Sequence, residues 1–160
     1  MKNIVLLILV SVVVVAVAAM AFWSSREPAA PGEKVATITV YHSPTCGCCK
    51  DWMEHLRDEG FAVQAEAVAD MQHIKQREGV PPAMASCHTA LVDGYVVEGH
   101  VPAADIRRLL EERPAVAGIA VPQMPVGSPG MEMGDRRDPY AVLAFTGDGK
   151  SRVYNHYPGN

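Results

Sequence analysis

Three cysteines in four residues, Cys46-Gly47-Cys48-Cys49, stand where a β-branched stretch gives way to a helical one. Val35 to Tyr41 (VATITVY) is short and β-branched, which predicts a buried strand. Ser43-Pro44-Thr45 turns the chain and offers a helix N-cap. A helix follows from about Cys46 to Glu59, with Cys49, Trp52, Met53 and Leu56 spaced as one apolar stripe and Gly60 suited to the C′ position. The thiols therefore open a helix, where free N–H groups and the helix dipole favour thiolate. On that helix Cys46 and Cys49 share a face, while Cys48 points about 100° from Cys49. Sulfurs splayed in this way suit bridging of several ions better than one tetrahedral ion. The bland alternative is a set of structural disulfides in an oxidising compartment. A disulfide framework would spread its cysteines along the chain, and the adjacent Cys48 and Cys49 would pair only with strain. Crowding favours metal or redox chemistry.

The rest of the chain surrounds this motif with alternating elements. Phe61 to Ala67 reads as a second strand and Met71 to Glu78 as a short helix closed by Gly79. Thr89 to Val92 and Tyr95 to Glu98 form a hairpin across Asp93-Gly94. Pro102 suits the first turn of a helix whose inner face is Ala103, Ile106 and Leu110. The order is βαβαββα. Pro114 to Pro139 has no period and holds Pro, Gly and three Met, so it reads as a long loop of functional kind. A last hairpin pairs Tyr140–Phe145 with Ser151–Tyr154.

The domain occupies residues 35–160. Ahead of it, 24–34 is a polar linker, and Ile4 to Trp23 is an uncharged run of about 30 Å as a helix, one bilayer core. Residues 1–23 are either a cleaved signal peptide, for which Ala19-Met20-Ala21 fits a cleavage site, or a retained membrane anchor, which explains the length. Lys2 keeps the N-terminus inside, so the domain faces outward, into a periplasm in a Gram-negative cell. From Val35 onward the chain has 11 basic against 16 acidic residues and no basic run, which removes the electrostatic footprint of nucleic-acid binding.

Two resemblances come from the motifs themselves. The βαβαββα order with Cys at the first strand-to-helix turn is that of thioredoxin and glutaredoxin, and Tyr41-His42-Ser43-Pro44-Thr45-Cys46-Gly47-Cys48-Cys49 resembles the glutaredoxin active-site stretch. Those families carry a cis-proline where this chain has Cys87-His88. Across residues 36–134, three ordered blocks (YHSPTCGCC, SCHTALVDGYVVEGHVPAADI and AVPQMPVGSPGMEMG) are similar to the CopG-type periplasmic copper-resistance proteins. Gln123 departs from that family's Pro-Gly-Met-Pro.

The resemblance implies an α/β, thioredoxin-like fold with a Met/Pro/Gly-rich loop and C-terminal hairpin. It also implies Cu(I) at Cys46, Cys48, Cys49 and the distant Cys87, which the fold places opposite the motif. Soft thiolates select Cu(I) and Zn(II) over hard cations. Zn(II) is the rival cofactor, and the thioethers of Met124, Met131 and Met133 tilt the choice to Cu(I), either singly or as a multinuclear thiolate cluster. For Met124 and Met131, metal contact and ordinary packing are both open. His42, at the end of the first strand, and His88, beside Cys87, are further candidates to line or ligate the site. His100 either reaches the site or caps the next helix; His55, His73 and His156 read as solvent residues. The expected partners are copper ions and other envelope copper-handling proteins, with contact to a membrane only through the N-terminal segment. The enzyme alternative is a thiol–disulfide oxidoreductase in which Cys46 attacks and Cys49 resolves. A zinc-stabilised interaction module is the third class.

Overall fold

The computed structural model describes residues 36–160. The N-terminal segment and the linker lie outside the described residues, and no helix among the described residues is long and apolar enough to cross a membrane. The elements are β1 (Thr37–His42), α1 (Gly47–Asp58), β2 (Ala62–Ala67), α2 (Met71–Arg77), a 3₁₀ turn (Pro82–Met84), β3 (Thr89–Val92), β4 (Tyr95–Glu98), α3 (Ala103–Glu112), β5 (Gly118–Ala120), β6 (Tyr140–Phe145) and β7 (Ser151–Tyr157). The chain is thus a mixed α/β fold, and the expected βαβαββα order is present.

Among the described residues the strands form one seven-stranded sheet, in the order β2-β1-β3-β4-β5-β6-β7. β1 and β2 are parallel, as a helical crossover through α1 requires. β3 runs antiparallel to both β1 and β4. The β3–β4 turn places both Asp93 and Gly94 at positive φ, the two-residue geometry that suits strand twist. The core gathers Ile38, Val40, Trp52, Leu56, Val97, Ile106 and Ile119, so the helix stripe and the inner strand faces meet as their periods predict.

Three expectations need correction. The stretch from Pro114 to Pro139 is not a bare loop. Gly118–Ala120 forms β5 parallel to β4 and is fully buried, so α3 serves a second parallel crossover and the hairpin β6–β7 continues the sheet. Three residues are too few to show a period, which is why the pattern hid the strand. Pro102 is the N-cap of α3 rather than a residue of its first turn, and Leu109, with Ala103 and Ile106, makes the buried face while Leu110 is partly covered. The N-cap of α1 is Cys46, not Ser43 or Thr45.

Candidate metal centre

The site forms where β1 ends. The backbone turns through Cys46 N–H to the Ser43 carbonyl at 3.0 Å, and α1 begins. Cys46 keeps an extended backbone (φ −76°, ψ 103°), and its Sγ accepts the Cys49 N–H at 3.3 Å. This explains a departure from the helical-wheel reading. A residue at the N-cap is not on the wheel, so its sulfur folds over the helix end toward both others. Cys46 Sγ lies 3.6 Å from Cys48 Sγ and is joined to Cys49 in a disulfide. Cys49 is fully buried, whereas Cys46 and Cys48 are half-buried. Cys87, just ahead of β3, completes the group at 4.0 Å from Cys48 Sγ. All four sulfurs lie within 4.8 Å of one another.

A second group shares Cys87. His88 Nδ1 is 3.1 Å and His100 Nε2 is 3.0 Å from Cys87 Sγ, and the three donor atoms lie within 4.8 Å of one another. Both imidazoles are fully buried. His88 lies against the Trp52 ring at 4.3 Å and edge-on to His100 at 5.0 Å. Trp52 is itself fixed, its Nε1–H donating to the Val101 carbonyl at 2.9 Å. His100 Nδ1 donates to the Pro129 carbonyl at 2.8 Å, which leaves Nε2 bare toward Cys87. Burial lowers the pKa of His88 well below the usual imidazole value, and the charges of His100 and Lys75 push the same way. Burial lowers His100 too, against the pull of the Pro129 carbonyl. Both shifts favour the neutral ring, the form a metal ligand needs. The Cys87 thiol is pushed up to about 12, first by burial and then by the charge of Cys48.

The loop after β5 covers this end of the helix. Ser128 N–H and Oγ both bond the Pro125 carbonyl, and Gly127 N–H bonds the Met131 carbonyl, so the loop holds its own shape. Gly130, at φ +80°, lies so close to α1 that a Cβ there would be 2.7 Å from Trp52 N and 2.8 Å from the Cys48 carbonyl. Met124 and Met133 are exposed, and Met131 is half-buried.

Behind Cys87 stands a buried ion pair that sequence reasoning missed. Lys75 Nζ is 2.5 Å from Glu98 Oε1, with side-chain exposures of 9% and 0%. The same Glu98 oxygen accepts the Ser86 N–H at 2.7 Å, and its other oxygen accepts Thr89 Oγ at 2.7 Å. Gly99 is pressed onto Ser86, and its N–H bonds the His88 carbonyl at 3.1 Å. The segments Ser86–Thr89 and Glu98–His100 are thereby clamped to one another. A signal existed: Lys75 falls on the inner stripe of α2 beside Ile74, and Glu98 faces Thr89 across the hairpin, two opposite charges on core positions.

The other histidines sort clearly. His42 is buried, its Nδ1 donates to the Ser43 carbonyl at 2.9 Å, and it belongs to neither ligand-distance group. His100 meets Cys87, and the cap of α3 comes instead from His55, whose Nε2 accepts the Ala103 N–H at 3.2 Å. His55 is thus half-buried, not a solvent residue, while His73 and His156 are exposed.

This arrangement has known relatives. Residues 84–131 match a family described as a protein of unknown function, DUF411; they include Cys87, His88, His100 and the covering loop. No curated protein sequence matches the chain. Two solved structures of a copper resistance protein copG are similar to it. Form 2 is 53% identical over 78% of this chain and 100% of that one, and form 1 is 54% identical over 79% and 100%; each superposes with a TM-score of 0.75. At that identity, over the whole of the relative, the chain belongs to the CopG family of copper-resistance proteins.

Proposed function

We propose that this chain binds copper as Cu(I) in the cell envelope and serves copper tolerance. The observation that carries the reading is the convergence of four sulfurs, from Cys46, Cys48, Cys49 and Cys87, within 4.8 Å of one another. Four soft donors at such spacing suit a soft cation, and a thiolate with free lone pairs can bridge two ions, so the set accommodates more than one copper. The relatives' name, copper resistance protein, supports the same metal. Zn(II) could also close a tetrahedron of sulfurs. Copper is preferred because the site is half open under a Met-bearing loop and because a closed structural zinc site has no use for export to an oxidising space. The outward location rests on the apolar run Ile4–Trp23 behind Lys2. The test is a competition titration of the reduced, oxygen-free full chain. Cu(I) should displace Zn(II), and zinc winning at equal free metal would sink the copper reading.

A second reading has its own observation. The Cys46–Cys49 pair is closed as a disulfide, so the same turn can store two electrons as dithiol and release them as disulfide. A thiol–disulfide oxidoreductase would then use Cys46 as nucleophile and Cys49 as resolving thiol. Cys87→Ser separates the two readings. A copper site loses stoichiometry or affinity, while the 46–49 disulfide still forms. Full copper loading in that variant favours the oxidoreductase.

A further inference from the structure

We infer that the cavity walled by the covering loop, the start of α3 and the β6–β7 hairpin binds a small zwitterion, a free α-amino acid with an apolar side chain. The cavity measures about 260 Å³. That is below the roughly 300–1,000 Å³ of pockets that take drug-sized molecules, so its occupant is of amino-acid size. None of the four cysteines lines it, nor does His88 or His100. The inference therefore stands apart from the copper reading and from the donors of the metal centre.

Half of the wall is proline and tyrosine. Pro102 stands at the N-cap of α3, Pro129 in the covering loop and Pro158 after β7, with the rings of Tyr140 and Tyr157 beside them. The two rings stack at 4.8 Å with their planes 11° apart. Tyr157 is fixed because its hydroxyl donates to Asp105 at 2.7 Å, and Asp105 also accepts from Asn155 Nδ2 at 2.9 Å. The wall is held before any ligand arrives. Arg137 N–H donates to Asn160 Oδ1 at 2.9 Å, the Arg137 carbonyl accepts the Asn160 N–H at 3.1 Å, and Asp138 N–H bonds the Val126 carbonyl at 2.9 Å. Proline and tyrosine faces take an apolar or aromatic group and offer it no charge partner.

The polar lining leaves one charge of each sign over. Glu132 and Arg137 both line the cavity, and neither has an ion-pair partner among the described residues. The cavity's other carboxylate, Asp138, is taken by Arg136, whose Nη2 and Nε donate to it at 3.0 and 3.2 Å. His55 Nε2 accepts the Ala103 N–H, so that ring is uncharged with its proton on Nδ1. Both leftover charges act on one place. The Tyr140 phenol, whose pKa is raised first by burial and then by Asp105, is also pulled down by Arg137 and pushed up by Glu132. A carboxylate alone would meet Arg137 and be repelled by Glu132, and an ammonium alone would meet the reverse. A molecule with both charges pairs with both residues. An α-amino acid carries them on one carbon and leaves its side chain for the prolines and tyrosines. The end of a peptide carries only one of the two, so the pair selects a free amino acid over a peptide terminus.

The deciding experiment is calorimetric titration of the full chain, free of copper, with three probes of one shape: L-phenylalanine, L-phenylalaninamide, which lacks the carboxylate, and 3-phenylpropionate, which lacks the ammonium. Phenylalanine should bind about tenfold more tightly than either analogue, the worth of one charge-assisted hydrogen bond. Arg137→Gln should weaken phenylalanine about tenfold and leave the amide unchanged. Glu132→Gln should weaken phenylalanine by a similar factor and leave phenylpropionate unchanged. Both residues are exposed, so neither change threatens the fold. No binding of phenylalanine up to about 10 mM overturns the inference. An analogue that binds as tightly as phenylalanine, or variants that weaken all three probes alike, overturns it too. Because no copper is present, none of these results bears on the copper reading.

Discussion

Glu98→Gln tests whether the buried ion pair holds the Cys87 segment in place. Glu98 is wholly inaccessible and Lys75 is 9% exposed at its side chain, so the substitution leaves an ammonium without its counter-charge in the protein interior. Gln is nearly isosteric and can still accept from Ser86 N–H or Thr89 Oγ, so the change isolates charge from shape. Removing one partner of a buried pair costs about 3–5 kcal/mol. With a urea dependence of about 2 kcal/mol per molar for a domain of this size, the unfolding midpoint should fall by about 1.5–2.5 M. Lys75→Met combined with Glu98→Gln should recover much of that loss, because no bare charge remains. Urea unfolding followed by circular dichroism measures both. Copper affinity at stable temperatures should fall in the single variant, since Ser86 N–H donates directly to the carboxylate and Cys87 is the next residue. A midpoint lowered by less than about 0.5 M, or a double variant no better than the single one, refutes the argument.

Three further outcomes follow from the geometry. Gly130→Ala should lift the covering loop off α1, since the new Cβ meets backbone at both Trp52 and Cys48 and the φ of +80° disfavours a side chain; faster loss of bound copper to a chelator, with the urea midpoint lowered by about 1 M or less, is the expected reading. Gln123→Gly should stabilise the chain by about 0.5–1 kcal/mol, because Gln123 sits at φ +63° where Cβ is unwelcome; a variant that unfolds earlier contradicts this. In alkaline titration Tyr140, raised from the usual 10 to about 12 by burial and by Asp105, should ionise late, as should Tyr157, which is half-buried and donates to Asp105 at 2.7 Å. Because the folded chain keeps protons that the unfolded chain has lost, this contribution to stability is whole below pH 10 and fades as pH climbs to about 12; ultraviolet absorbance showing Tyr140 ionised at the usual phenol pH would contradict it.

The strand–turn–helix with its three thiols was legible because every cue there is local. The β-branched run, the stripe Cys49-Trp52-Met53-Leu56 and the Asp93-Gly94 turn each act within one or two turns of chain, and the elements formed where they pointed. The family blocks carried Cys87 to the same site. The sequence could also nominate His88 and His100, but only as residues in the right blocks. His100 could equally have capped α3, and that cap fell to His55, which is distant in sequence and near only because α1 and α3 lie side by side.

The order of elements and the chemistry of the donors, soft sulfur at a helix start with imidazoles in reserve, follow from the residues read in order. Which donors meet depends on how the sheet packs. Cys87 is separated from Cys48 by 39 residues and His100 from Cys87 by 13, and their contacts exist because β3 and β4 pair in a register that brings Thr89 opposite Glu98 and closes Ser86–His88 onto Gly99–His100. The same holds for β5, whose three residues have no period of their own and become a strand only against β4. Local propensity acts over a few residues, whereas register and burial are set by the packing of the whole sheet, and a site assembled across that sheet inherits its geometry from the packing.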